Sequence, residues 1–101
     1  MLTDHYELTM LQAALHSGAA SRRCIFEVFA RRLPEGRRYG VVAGTGRLLQ
    51  AVLDFRFDDA EIEWLRDHDV VDSMTLEYLS NYRFAGNISG YAEGECFFPR
   101  S

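Results

Sequence analysis

The sequence predicts a domain of the α+β class, in which helices accompany a mainly antiparallel sheet. Three patterns support this prediction. Residues 4–17 carry leucines at helical spacing, residues 24–32 alternate in the manner of a β-strand, and Glu93-Gly94 lies between two short apolar runs, like the turn of a hairpin. With 101 residues, 48% of them apolar, the chain is long enough to enclose one small hydrophobic core.

Several helices are expected, and the first has the clearest signals. It is predicted over residues 4–17, where Thr3 or Asp4 caps the start, Glu7 completes a capping box and Gly18 ends the helix. The later helices are predicted at about residues 47–55, from the capping pair Asp58 and Glu61 onward, and from Asp72 or Ser73 to Tyr82.

The strands are predicted from alternation and from turn residues. Residues 24–32 are apolar on both faces, so this strand should be covered on both sides, with Arg31 emerging at its end. Residues 39–43 form a second short strand, and residues 87–92 and 95–98 should form a hairpin about Glu93-Gly94.

Composition excludes several classes of function. The net charge of −4 argues against a protein that coats nucleic acid. No run of about 18 apolar residues is present, so no membrane-spanning helix is expected. The first residues lack a basic stretch followed by an apolar one, so we expect a cytoplasmic protein. Cys24 and Cys96 suit reduced, buried thiols better than a disulfide framework.

Basic and acidic residues are concentrated in different segments of the chain. Residues 21–50 contain seven arginines and two acids, a net of +5, whereas residues 51–80 contain two arginines and nine acids, a net of −7. The densest basic cluster joins Arg31-Arg32, at a predicted strand end, to a second arginine pair after a turn, Arg37-Arg38. Arginine grips phosphate through its planar fork of donors. Two interpretations remain open, a phosphate or pyrophosphate clamp and a solvated hairpin tip, and spacing alone favours the tip.

Other candidate motifs predict no chemistry. Gly44-Thr45-Gly46 precedes a helix, where exposed amides can bind phosphate, but the third glycine of a dinucleotide fingerprint and a Walker lysine are missing, which favours a plain tight turn. His5 and His16 are separated by about 16 Å along one helix, too far for one metal ion. Together with His68 they are interpreted as surface histidines, and the spacing predicts neither a catalytic residue nor a metal ligand.

Four segments in order resemble motifs of the nicotinate phosphoribosyltransferases. The first, Thr3 to Met10, is similar to the family's opening motif Thr-Asp-x-Tyr-x-Leu-Thr-Met. The other three are Phe26 to Pro34, Tyr39 to Gly44, and Tyr91 to Gly94 with Phe98-Pro99 close behind. The resemblance covers essentially the whole chain.

This resemblance implies a fold and a reaction. The fold is the N-terminal α/β domain of a type II phosphoribosyltransferase, spanning residues 1–101 and cut off before the barrel domain. The family makes nicotinate mononucleotide and pyrophosphate from nicotinate and phosphoribosyl pyrophosphate in NAD salvage. It couples the reaction to ATP hydrolysis, as a ligase, through a phosphorylated histidine of the barrel.

Magnesium accompanies the pyrophosphate, and the enzyme is a homodimer with its active site at the subunit interface. The chain alone is therefore expected to be inactive. The alternatives that remain are a non-catalytic binding or assembly module of the same fold and a nicotinamide-using relative.

The resemblance also implies site residues. The Asp and Tyr of the opening motif, Asp4 and Tyr6 here, reach the pyridine site of the neighbouring subunit. An electron-poor pyridine ring stacks well on a phenol, and a carboxylate can organise hydrogen bonds beside it. For Tyr6 the alternative is an ordinary buried tyrosine, and for Asp4 a helix cap. Arg31 and Arg32 are predicted from their own position: they end a strand whose inner residues are apolar, so their guanidinium groups can project into a cleft and bind the phosphate groups of phosphoribosyl pyrophosphate.

Overall fold

The computed structural model describes residues 3–100, and the chain divides into two compact units. The first unit comprises residues 1–24 and 55–83, and the second comprises residues 25–54 and 84–101. In chain order the elements are α1 (His5–Ser17), a 3-10 turn (Ala19–Ser21), β1 (Gly40–Val41), α2 (Thr45–Asp54), α3 (Asp59–Asp67), α4 (Ser73–Asn81) and β2 (Cys96–Phe97). Between residues 3 and 100, no helix is long and apolar enough to cross a membrane.

The first unit has a small leucine-rich core. Helices α3 and α4 pack against each other, and α1 contributes Leu8 to the same cluster. Leu65 is the most completely buried apolar side chain, at 1% exposure. The full cluster of buried residues is Leu8, Ile62, Leu65, Val71, Leu76 and Leu79. Burial of these side chains is the main stabilising term for the unit.

Helix ends in the first unit follow the predicted capping signals. Helix α1 begins after Asp4 and ends at Gly18, which adopts the left-handed conformation with φ of 78°. Helix α3 begins with a complete capping box, in which the Asp58 carboxylate accepts the Glu61 N–H at 2.8 Å. Of the two candidate starts for α4, Asp72 is the N-cap residue.

The second unit contains a two-stranded antiparallel sheet. Strand β1 pairs with β2 so that Gly40 lies opposite Phe97 and Val41 opposite Cys96. The pairing continues past β1, because Val42 donates its N–H to the Glu95 carbonyl and accepts the Gly94 N–H, both at 2.8 Å. Helices with an antiparallel sheet confirm the predicted α+β class, although the sheet is smaller than expected.

The predicted strand at residues 24–32 is wrong. In this structure no β-ladder includes these residues, and Ile25, Phe26 and Val28 are 90%, 89% and 104% exposed. Alternation describes how side chains are arranged along a strand, but a strand also needs a neighbouring edge to complete its backbone hydrogen bonds. Within this stretch, the Ala30 carbonyl accepts the Arg100 N–H at 2.9 Å. The expected cover on both faces is therefore not found.

The predicted hairpin at residues 87–98 is also wrong, although its turn is real. Glu95 donates its N–H to the Ala92 carbonyl at 3.1 Å, and Gly94 has a positive φ of 86°, so these residues do turn. Residues 87–92 form no strand, and the stretch after the turn pairs with β1 instead. The prediction that both cysteines are buried is wrong as well, because Cys24 and Cys96 are exposed.

Candidate functional site

The start of α1 presents an aromatic side chain to the surroundings. Tyr6 is 60% exposed, so it does not belong to the hydrophobic core of the first unit. Met10, one helical turn later, is 63% exposed and lies on the same side of α1. Asp4 is the N-cap residue of the helix and is also exposed. The two residues assigned to a pyridine site therefore lie at one end of one helix, accessible to a ligand.

A short polar network fixes how the chain enters α1. The Glu7 carboxylate accepts the backbone N–H of Asp4 at 3.1 Å and a hydrogen bond from the Thr3 hydroxyl. The bond from Thr3, followed by that from the Asp4 backbone, holds the pKa of Glu7 below its usual value of 4.5. Glu7 therefore stays ionised at neutral pH and keeps the backbone beside Asp4 in place.

A second network joins the far end of α1 to the start of α4. His16 Nε2 lies 2.5 Å from Asp72 Oδ2, and the Asp72 N–H donates to Gln12 Oε1 at 2.7 Å. His16 is exposed, as predicted for a surface histidine, but it has a specific partner that its spacing along the sequence did not reveal. That partner is 56 positions away, so only the fold brings the two side chains together.

The arginine cluster belongs to the second unit and is exposed. Arg31 lies at a bend and Arg32 follows it, both accessible to solvent. The turn that follows is closed by a hydrogen bond of 3.0 Å from the Arg37 N–H to the Pro34 carbonyl. Exposed guanidinium groups on a turn are available to an anion and equally to water, so both interpretations of Arg31 and Arg32 remain consistent with this geometry.

The amides at the start of α2 already have an acidic partner. The Glu93 carboxylate accepts the N–H groups of Gly44 and Thr45, both at 2.9 Å, and the Thr45 hydroxyl at 2.6 Å. These bonds, with that from the Thr45 hydroxyl the strongest, lower the pKa of Glu93 below its usual value. The glycine-rich turn is thus bound by the chain's own carboxylate. The sequence analysis placed Glu93 in a turn but did not predict this contact.

Cation ligands are not assembled among the described residues. Between residues 3 and 100, no three His, Cys, Asp or Glu side chains come together in a way that could hold a metal ion.

Comparison with known proteins defines the class. Residues 1–101 match the profile of the nicotinate phosphoribosyltransferase N-terminal domain, and the chain belongs to this family. It is 61% identical over all of its 101 residues to nicotinate phosphoribosyltransferase pncB1 of Mycobacterium tuberculosis, of which it covers 22%. It is 35% identical over 99 residues to pncB2 of the same organism, covering 21% of that protein.

A plant relative extends the comparison. Nicotinate phosphoribosyltransferase 1 of Arabidopsis thaliana is 30% identical over 103 residues, which is 18% of its length. The chain thus spans about a fifth of the curated relatives that it matches. The resemblance seen in the four sequence motifs is confirmed at the level of the family.

Proposed function

We propose that this chain is the N-terminal, substrate-contacting part of a nicotinate phosphoribosyltransferase that acts in NAD salvage. The observation that carries the proposal is the exposed Tyr6 beside Asp4 at the start of α1, in a chain that matches the family from end to end. The complete enzyme would join nicotinate to phosphoribosyl pyrophosphate, releasing pyrophosphate, with coupling to ATP hydrolysis.

The proposed role of Tyr6 is to form an aromatic wall for the pyridine ring. A pyridine ring stacked on the phenol can keep its nitrogen directed at the ribose carbon. Holding the ring in this reactive orientation lowers the entropic part of the activation barrier. Asp4, two residues earlier, would hold polar groups beside the ring. Because Tyr6 projects from the first helix and is not covered, it is free to serve the site of a second subunit in a homodimer.

Arg31 and Arg32 are proposed to bind the phosphate groups of phosphoribosyl pyrophosphate. Both guanidinium groups are exposed, and each can donate two parallel hydrogen bonds to phosphate oxygens. Magnesium, ATP and the residue that is phosphorylated are assigned to a barrel domain of type II architecture outside these 101 residues. The isolated chain should then form no product from nicotinate, ATP and phosphoribosyl pyrophosphate.

A chimera tests the proposal. This chain replaces the matching 101 residues of pncB1 from Mycobacterium tuberculosis, and formation of nicotinate mononucleotide is measured. We expect the chimera to be active. Tyr6→Ala should raise the KM for nicotinate about two- to tenfold, from the value of an aromatic pair, and leave the KM for phosphoribosyl pyrophosphate unchanged. Tyr6→Phe keeps the ring and should be mild, and Tyr78→Ala is the matched exposed control.

The arginines and the dimer have their own tests in the same chimera. Arg31→Ala or Arg32→Ala should raise the KM for phosphoribosyl pyrophosphate about tenfold to a hundredfold, because a charged hydrogen bond is lost; Arg47→Ala is the control. Mixing Tyr6→Ala subunits with subunits inactivated outside residues 1–101 should restore activity if Tyr6 acts across the interface. An inactive chimera that folds normally, or an unchanged KM for nicotinate in Tyr6→Ala, would contradict the proposed function.

A further inference from the structure

Two side chains of α1 hold the same residue of a distant helix start. Gln12 and His16 are one turn apart, so they project from the same face of α1. Gln12 Oε1 accepts the Asp72 N–H at 2.7 Å, and His16 Nε2 lies 2.5 Å from Asp72 Oδ2. We call Gln12, His16 and Asp72 the α1 latch. Its contacts join positions 60 and 56 residues apart in sequence.

The acceptor of the latch is itself held in place. Asp72 Oδ1 accepts the N–H of Thr75 at 2.9 Å and its hydroxyl at 2.7 Å, while Thr75 is completely buried. The Thr75 hydroxyl, the contact with His16 and the Thr75 N–H together lower the pKa of Asp72 to about 2. The Asp72 side chain is therefore an ionised acceptor, oriented on α4 whether or not α1 is correctly placed.

Apolar packing alone leaves the rotation of α1 weakly determined. Leu8 is the buried residue of this helix and Leu11 packs, partly buried, against the same cluster, but hydrophobic burial is not directional. Hydrogen bonds are directional, and those of the latch lie about one and two turns beyond Leu8 along the helix. Leu8 and Leu11 thus hold α1 against the core, whereas Gln12 and His16 add the directional contacts that fix its rotation and tilt.

We propose that Gln12 and His16 are positioning residues that aim Tyr6 at the pyridine site, an inference that rests on the proposed function of Tyr6. Tyr6 lies ten residues before His16 on the same helix, about 15 Å along its axis. A rotation of about 20° displaces a side chain at a radius of about 6 Å by roughly 2 Å. Displacement of about 1 Å can already reduce a rate about a hundredfold.

The test uses the active chimera and changes only the α1 side of the latch, because Asp72 also caps α4. His16→Ala and Gln12→Ala should each raise the KM for nicotinate by no more than Tyr6→Ala does, about two- to tenfold, and leave the KM for phosphoribosyl pyrophosphate unchanged. His16→Gln should restore the KM, since a glutamine amide can place an N–H near the position of Nε2. His68→Ala removes another exposed histidine and should have no effect.

Hydrogen exchange of the α1 amides, measured on the same variants, separates aiming from folding. We expect the helix to remain protected in His16→Ala. If the variants lower activity for both substrates equally and lose protection of α1, or if His16→Gln fails to restore the KM, the latch is only structural and the inference is overturned. If Tyr6→Ala raises the KM for nicotinate but the latch variants do not, the inference fails while the proposed function stands.

Discussion

Replacing Thr75 with valine isolates the contribution of one buried hydroxyl group. Thr75 has 0% exposure, and its hydroxyl donates to Asp72 Oδ1 at 2.7 Å. Valine keeps the shape of the side chain but replaces the hydroxyl with a methyl group. The carboxylate would retain the Thr75 backbone N–H, at 2.9 Å, as a donor, so α4 should still begin at the same place.

The expected loss follows from what each atom does. A net intramolecular hydrogen bond is worth about 0.5–1.5 kcal/mol, and bonds to charged groups about 1.5–3 kcal/mol. Water can reach the partner carboxylate, because the Asp72 side chain is 36% exposed, so we expect Thr75→Val to cost about 1 kcal/mol. For a domain of this size that corresponds to a fall in Tm of roughly 4–8 °C.

Thr75→Val should also change how the free energy of unfolding depends on pH in the acid range. The pKa of Asp72 is lowered from 3.8 to about 2, so its contribution to stability is complete above pH 3.8 and is lost as the pH falls through about 2. The Thr75 hydroxyl is the largest cause of this shift. In Thr75→Val the pKa should rise towards 3.8, and this contribution should be lost at a higher pH.

Urea denaturation between pH 2 and 7 measures the free energy of unfolding, and carboxyl chemical shifts follow Asp72 directly. Thr75→Ser is the matched control, because it keeps the hydroxyl and removes only the methyl group. Its Asp72 pKa should stay near that of the original chain. If the Asp72 pKa is the same in Thr75→Val as in the original chain, the hydroxyl is not what holds the carboxylate ionised, and the reasoning fails.

Two further predictions concern the second unit. A Cβ on Gly40 would overlap the Phe97 ring, so Gly40→Ala should destabilise the β1–β2 pairing by about 1–3 kcal/mol in denaturation experiments. Gly46→Ala, with open space around it in α2, should be neutral or stabilising; equal stability of the two variants would refute the clash. The ionised Glu93 carboxylate stabilises the fold above pH 4.5, and this contribution is lost as the pH falls through its lowered pKa. The chemical shift of the Thr45 amide should follow this titration, and Glu93→Gln should abolish the pH dependence. An unchanged titration in Glu93→Gln would exclude Glu93 as the partner of the Thr45 amide.

Local signals in the sequence were sufficient to predict where the helices lie. Asp58 with Glu61, and Gly18 after α1, act on neighbours within four residues, so a single stretch of sequence contains the whole interaction. The strands depended on distant partners. Residues 24–32 alternate in the manner of a β-strand. Whether such a segment forms a strand depends on a pairing partner elsewhere in the chain, and here β1 pairs with β2 instead.

The candidate site shows the same division. Asp4 and Tyr6 were predicted as site residues from a contiguous motif. The structure adds that Tyr6 is exposed, which periodicity did not decide because both helix faces carry apolar residues. The contact of His16 with Asp72 could not be predicted, since a histidine and a carboxylate 56 positions apart carry no mutual signal. Glu93 was likewise placed in its turn without its partners at the start of α2.

The interleaved order of the two units has a consequence for biosynthesis. Residues 25–54 of the second unit separate the two halves of the first, so α1 leaves the ribosome well before the helices that enclose Leu8. Asp72 is added 56 residues after His16, about 3–11 s later at ordinary elongation rates. During that interval the nascent helix exposes Leu8 and Leu11 without their native neighbours. The N-terminal helix is thus a natural point for a chaperone to engage, and slowing elongation between residues 17 and 72 should lengthen that exposure.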